Sequence, residues 1–120
     1  MTVRRLKAYT AQTGYVYQYY FVGKRPALPG AGVSAANEYV FDVSADRSTY
    51  FAISIFVEEE GLRAWAAENG RELTEAEQYA AAKMRLFSAF DQVDDLKNSS
   101  RQFNIGPENI AEVMETLDLG

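Results

Sequence analysis

EYVFDVSADRSTYFAISIFV, residues 38–57, alternates apolar and polar side chains on both sides of a short polar break. Tyr39, Phe41, Val43 and Ala45 share one parity before the break, and Phe51, Ile53, Ile55 and Val57 share one parity after it. A period of two is that of a strand with one buried face. The stretch therefore predicts two antiparallel strands, 38–45 and 49–57, joined through Asp46, Arg47 and Ser48. A turn centred on Arg47 sets Phe41 opposite Ile53 and Val43 opposite Phe51, so that one face becomes core. The other parity holds Glu38, Val40, Asp42 and Ser44 with Tyr50, Ala52, Ser54 and Phe56. That mixture reads as a face partly exposed or covered by something apolar.

A second hairpin precedes this one. VRRLKAYT (3–10) and YVYQYYFVG (15–23) flank AQTG, in which Gly14 can take the positive φ a tight turn needs. In strand geometry Tyr15, Tyr17, Tyr19 and Phe21 point one way, and Val16, Gln18, Tyr20 and Val22 point the other. Both faces are largely apolar, so either the four-ring face packs on the long helix with the other face semi-exposed, or one face is presented to a partner. PALPGAGVSAAN (26–37) follows, with two Pro and two Gly, and reads as an irregular connection. It lacks the Lys-Ser/Thr pair of a phosphate-binding loop.

The second half is helical. Glu58, Glu59 and Glu60 suit the positive end of a helix dipole, and Gly70 suits a helix stop. Thr74 and Glu77 form a capping box for a long helix whose pattern runs to about Leu96. Arg101 to Ile105 is a short strand or an extended link. Pro107 fits the first position of a last helix, with Ile110, Val113, Met114 and Leu117 on its apolar side. Strands followed by helices predict an α+β fold. The expected architecture is a four-stranded antiparallel sheet of two hairpins with helices packed on one face, in a single domain over residues 1–120.

The residue inventory narrows the chemistry. The 120 residues include no Cys and no His. Thiolate and imidazole nucleophile systems, disulfides and Cys- or His-ligated metal centres are thereby excluded. A catalytic role is not expected, and no cofactor or metal is assigned. The carboxylates at 58–60 read as a helix N-terminus. Asp91, Asp94 and Asp95 read as a solvated acidic face for which Lys97 or Arg101 is the natural cationic partner. No apolar leader follows the basic N-terminal residues and no run approaches a membrane span, so a cytoplasmic protein with no membrane partner is expected.

The net charge of −5 is uneven: residues 1–37 carry +5 with no acid, and residues 38–120 hold 7 basic and 17 acidic residues. Basic side chains gather beside the aromatic strand. Arg4, Arg5, Lys24 and Arg25 are the expected polar contacts of a binding surface, and Tyr15, Tyr17, Tyr19 and Tyr20 its ring contacts. The expected activity is protein interaction, with a second copy of the chain as the first partner and another protein as the next. Two other readings compete. One is a small-molecule-binding protein or enzyme with a Tyr-lined pocket between sheet and helices. The other is single-stranded nucleic-acid binding, with rings on bases and cations on phosphates; the acidic body makes that the weakest of the three.

Overall fold

A computed structural model describes residues 5–27 and 35–117. Five strands and three helices follow one another as β1 (Lys7–Thr10), β2 (Val16–Ala27), β3 (Ala36–Ser44), β4 (Phe51–Glu58), α1 (Glu59–Asn69), α2 (Glu75–Gln92), β5 (Gln102–Ile105) and α3 (Ile110–Thr116). A 3-10 turn at Leu96–Asn98 links α2 to β5. The strands lie side by side in chain order, and the first three pairings are antiparallel.

The two hairpins form for the reasons legible in their residues. Phe41 pairs with Ile53 and Val43 with Phe51. Between the strands, Asp46 accepts from the backbone of Ser48 and Thr49 at 2.9 and 2.8 Å, and Arg47 takes a positive φ of 69°. In the first hairpin Gly14 has φ 94° and its N–H donates to Ala11 at 2.9 Å. Tyr9 pairs with Tyr17, and Lys7 with Tyr19.

The sheet has one strand more than the two hairpins supply. Gln102–Ile105 joins the far edge of β4 in parallel, Ile55 opposite Phe103 and Val57 opposite Ile105. Four residues are too short for a period to declare itself. The parallel direction also needs a long crossover, and α1 and α2 provide it. β2 likewise runs on past residue 23 to Ala27, because Lys24, Arg25 and Pro26 find cross-strand partners in Tyr39, Glu38 and Asn37. The irregular segment expected over 26–37 is thus ordered strand at both ends, and its residues 28–34 lie outside the described residues. Arg4 does too.

A β-bulge divides β2. The register shifts between Phe21 and Gly23, so Val22 is the extra residue. A bulge reverses the parity of everything beyond it. Before it the odd residues Tyr17, Tyr19 and Phe21 face the helices; after it Lys24 takes that side, opposite Tyr39.

The core lies between that face and the helices. Phe41, Val43, Ile53, Ile55 and Ile105 are fully buried with Leu86 and Phe90 of α2, and Trp65 of α1 and Ile110 of α3 belong to the same cluster. Ala81, Ala82 and Ala89 allow α2 to approach closely. Thr74 caps α2, its hydroxyl accepting from the Glu77 N–H at 3.2 Å while the Glu77 carboxylate accepts from the Thr74 N–H at 2.9 Å. The helix ends at Gln92, one turn earlier than Leu96. Val93 is already extended, and Asp95 turns the chain through φ 50°. α3 begins at Ile110; Pro107 lies in the turn before it, where the Asn109 side chain accepts from the Gly106 N–H at 2.8 Å. Among the described residues no helix is long and apolar enough to cross a membrane.

Candidate functional site

Of the residues expected to form one binding surface, those described are not gathered in one place. Tyr17 and Tyr19 belong to the core, 5% and 4% exposed. Tyr17 stacks on Phe90 with centroids 4.5 Å apart and planes 7° from parallel; Tyr19 meets Phe87 edge-on at 5.5 Å. Burial raises both phenol pKa values. These rings hold α2 to the sheet. Tyr15, one step beyond the paired region, is 63% exposed. Its ring tilts over Tyr17 at 6.4 Å. With Ala45, Phe51, Asp95 and Lys97 the two tyrosines line an open cleft of about 310 Å³.

Tyr20 lies on the other face of the sheet. Its hydroxyl donates to Asp42 at 2.7 Å and its ring meets Tyr50 at 5.8 Å. Arg25 shares this face because of the bulge. Its Nε donates to Glu38 at 2.7 Å, and Ser54 donates to the other carboxylate oxygen at 2.6 Å. The Arg25 hydrogen bond holds the Glu38 carboxyl below its ordinary range; burial opposes this and Ser54 supports it. A row Arg25–Glu38–Ser54 therefore crosses β2, β3 and β4, and both Glu38 carboxylate oxygens accept a hydrogen bond. Reversing Arg25 to an acid would set two carboxylates against each other, so Arg25 has a structural use as well as a position on the surface.

Lys24, its neighbour, emerges on the helix side. Its Nζ lies 5.9 Å from the Tyr39 ring centroid and 3.8 Å from the Glu75 carboxylate. Arg5 is exposed before β1. Among the described residues the basic side chains thus do not gather into a single patch: the bulge sends adjacent cations to opposite sides.

Val16, Val22 and Tyr50, at 40%, 37% and 38% exposure, add apolar area to the Tyr20 face. Val40 and Phe56 are half-buried there. The feature that period-two reading missed is the Glu38 row, since a one-residue bulge leaves no mark in composition. The acidic cluster also finds other partners than expected. Asp91 accepts from the Tyr9 hydroxyl at 2.8 Å and the Gln12 N–H at 2.9 Å, while Asp95 accepts from Asn98 at 3.1 Å.

Comparison with protein-family models, curated proteins and solved structures gave no match. The reading of function rests on the chain's own geometry.

That geometry gives most ionisable groups a structural task. Asp46 is held well below the carboxylate range by the Thr49 and Ser48 N–H groups, and Glu77 is held at about 2 by Arg71 and the Thr74 N–H. Carboxylates that acidic are poor proton carriers near neutrality. Lys83 moves the other way: burial lowers its pKa, and neighbouring Lys7 adds to the effect. Its Nζ sits 5.8 and 5.9 Å from the Tyr79 and Phe87 ring centroids.

Proposed function

We propose that this protein is a non-catalytic interaction module that pairs with a second copy of itself through the sheet face bearing Tyr20, Tyr50, Val16, Val22, Val40 and Phe56. The observation that carries this reading is the combination of exposed apolar side chains with carboxylates already paired inside the chain. Glu38 has Arg25 and Ser54, and Asp42 has Tyr20. Burying a charge is costly when its partners must come from elsewhere. Here the partners travel with it, so the face can be desolvated at low cost.

A second copy fits because two such faces are complementary to each other. Sheets pack face to face about 10 Å apart with inner side chains interdigitated. Each copy offers both signs, with Arg25 opposite Glu38 and Asp42 four residues further along β3. A two-fold axis can set the Arg25 of one copy against the acids of the other. Five strands of four to twelve residues, about 4.8 Å apart, give a face on the order of 500 Å² in projection. Side-chain relief raises the accessible area toward the ~800 Å² per partner of a standard interface. The cytoplasmic location expected from the sequence belongs to the same proposal.

The test is solution mass by light scattering, for the parent chain and for a Val22→Glu/Tyr50→Glu variant. A parent dimer that becomes a folded monomer in the variant supports the reading. A monomeric parent at high micromolar concentration would remove it.

A second reading has its own observation. The cleft of about 310 Å³ beneath Tyr15 has aromatic walls, and both Asp95 and Lys97 stand at it. A small polar molecule with an apolar body fits such a lining. A thermal-shift screen in which Tyr15→Ala abolishes a hit would favour this reading over self-association.

A further inference from the structure

The cleft between α2 and α3 belongs to neither surface. Its volume is about 190 Å³, and two polar stripes line it. Arg85, Ser88 and Gln92 face it from α2, and Glu112 and Thr116 from α3 with Asn109 just before that helix. The spacings are helical on both sides, i, i+3, i+7 on one and i, i+3, i+7 on the other, so each stripe is one continuous edge.

Arg85 is the unusual member. It is half-buried, and its guanidinium stacks on the Phe103 ring at 5.0 Å. Its Nε donates to the Asn104 carbonyl at 3.2 Å. Among the described residues no carboxylate lies within ion-pair distance of it, and its two terminal nitrogens have no hydrogen-bond partner. Burial pushes its pKa down, and Glu112 partly opposes that from across the cleft. A guanidinium held by one backbone bond and one ring presents its free fork in a fixed plane, the geometry that receives a carboxylate through two parallel bonds.

Glu112 sets the other half of the chemistry. It stands in the same cleft as Arg85 without closing an ion pair with it. An anion entering alone would satisfy Arg85 and be repelled by Glu112; a cation would meet the reverse. A molecule carrying both charges at once meets neither penalty. Ser88 and Gln92, whose side chains make no hydrogen bond among the described residues, are free to complete the contacts.

We infer that the α2–α3 cleft binds a small amino acid zwitterion, its carboxylate on Arg85 and its ammonium on Glu112. The small volume admits a compact molecule such as glycine or β-alanine. This site is independent of the sheet face, so self-association and ligand binding can succeed or fail separately.

The experiment is a titration of the ¹⁵N-labelled chain with glycine, β-alanine, acetate and methylammonium at neutral pH and constant ionic strength. The Arg85 Nε–H and the Gln92 side-chain amide report the site. Saturable shifts are expected with one of the two amino acids, at an affinity about tenfold above that for acetate, as the loss of one charge-assisted contact implies. Glu112→Gln, at an exposed position, should strengthen acetate binding by removing the repulsion and erase the amino acid's advantage. Arg85→Gln should weaken both ligands about tenfold or more. Absence of saturable shifts for both amino acids overturns the proposal. So does equal affinity for acetate and the amino acids in the parent chain, or an advantage that survives Glu112→Gln. Should Arg85→Gln fail to fold, the Glu112 variant still decides.

Discussion

Arg25 on β2 donates its Nε proton to Glu38 on β3 at 2.7 Å, directly across the strand pair, although Lys24 beside it faces the helices. The bulge at Val22 is what sets these neighbours apart, and it turns Arg25 from a loose surface cation into the cap of a buried carboxylate.

That relationship has a pH signature. Glu38 is stabilised as the anion in the folded chain, so its folded pKa lies below its ordinary value of 4.5. Its contribution is complete above that value and is lost as pH falls through the folded pKa. Glu38→Gln should therefore cost about 1–2 kcal/mol at pH 7. The difference from the parent chain should shrink steadily below pH 4.5. Urea denaturation of both proteins at pH 7 and pH 3 measures it. A difference that is constant with pH would mean that the charge on Glu38 is not what matters.

Tyr39 is 2% exposed, and its hydroxyl has no hydrogen-bond partner among the described residues. A buried hydroxyl left unpaired gives up its hydration for nothing. Tyr39→Phe keeps the ring contacts with Phe21 and Tyr79 and removes the orphan. The variant should be more stable by about 1 kcal/mol, a gain readable as a higher thermal midpoint. A loss of stability would show that the hydroxyl is paired in solution.

Gly61 lies in the first turn of α1, where alanine ordinarily favours a helix by about 1 kcal/mol. Here a Cβ would stand 2.9 Å from the Gly106 carbonyl carbon and 3.0 Å from its Cα. Both are backbone atoms and cannot swing aside. Gly61→Ala should destabilise by about 1–3 kcal/mol, the opposite sign to the propensity. Equilibrium unfolding of the variant decides between the two effects.

Phe90 is fully buried and stacks on Tyr17 while touching Tyr9, Tyr19 and Phe87. Phe90→Ala should cost about 3–5 kcal/mol through lost burial and the cavity left behind. Tyr15→Ala, at the exposed end of the same row, should change stability by no more than about 0.5 kcal/mol. Parallel denaturation curves for the two variants test whether the aromatic strand is core or surface at each point.

The sequence by itself determined the elements whose causes are local. Alternation at 38–57 specifies a hairpin because a one-residue slip would turn Phe41 and Ile53 outward. Thr74 and Glu77 start α2, and Gly70 ends α1, because each satisfies backbone groups within a few residues. The tertiary structure decided whatever depends on a partner distant in the chain. The parallel pairing of β5 requires β4 to be in place 48 residues earlier. The bulge at Val22 is selected by how β2 meets β3, and it alone places Arg25 against Glu38 and Lys24 beneath the helices. Arg85 and Glu112 are ordinary surface charges until α2 and α3 lie side by side. Short-range patterns record which groups a residue can satisfy among its neighbours; they hold no information about which distant groups packing brings within reach.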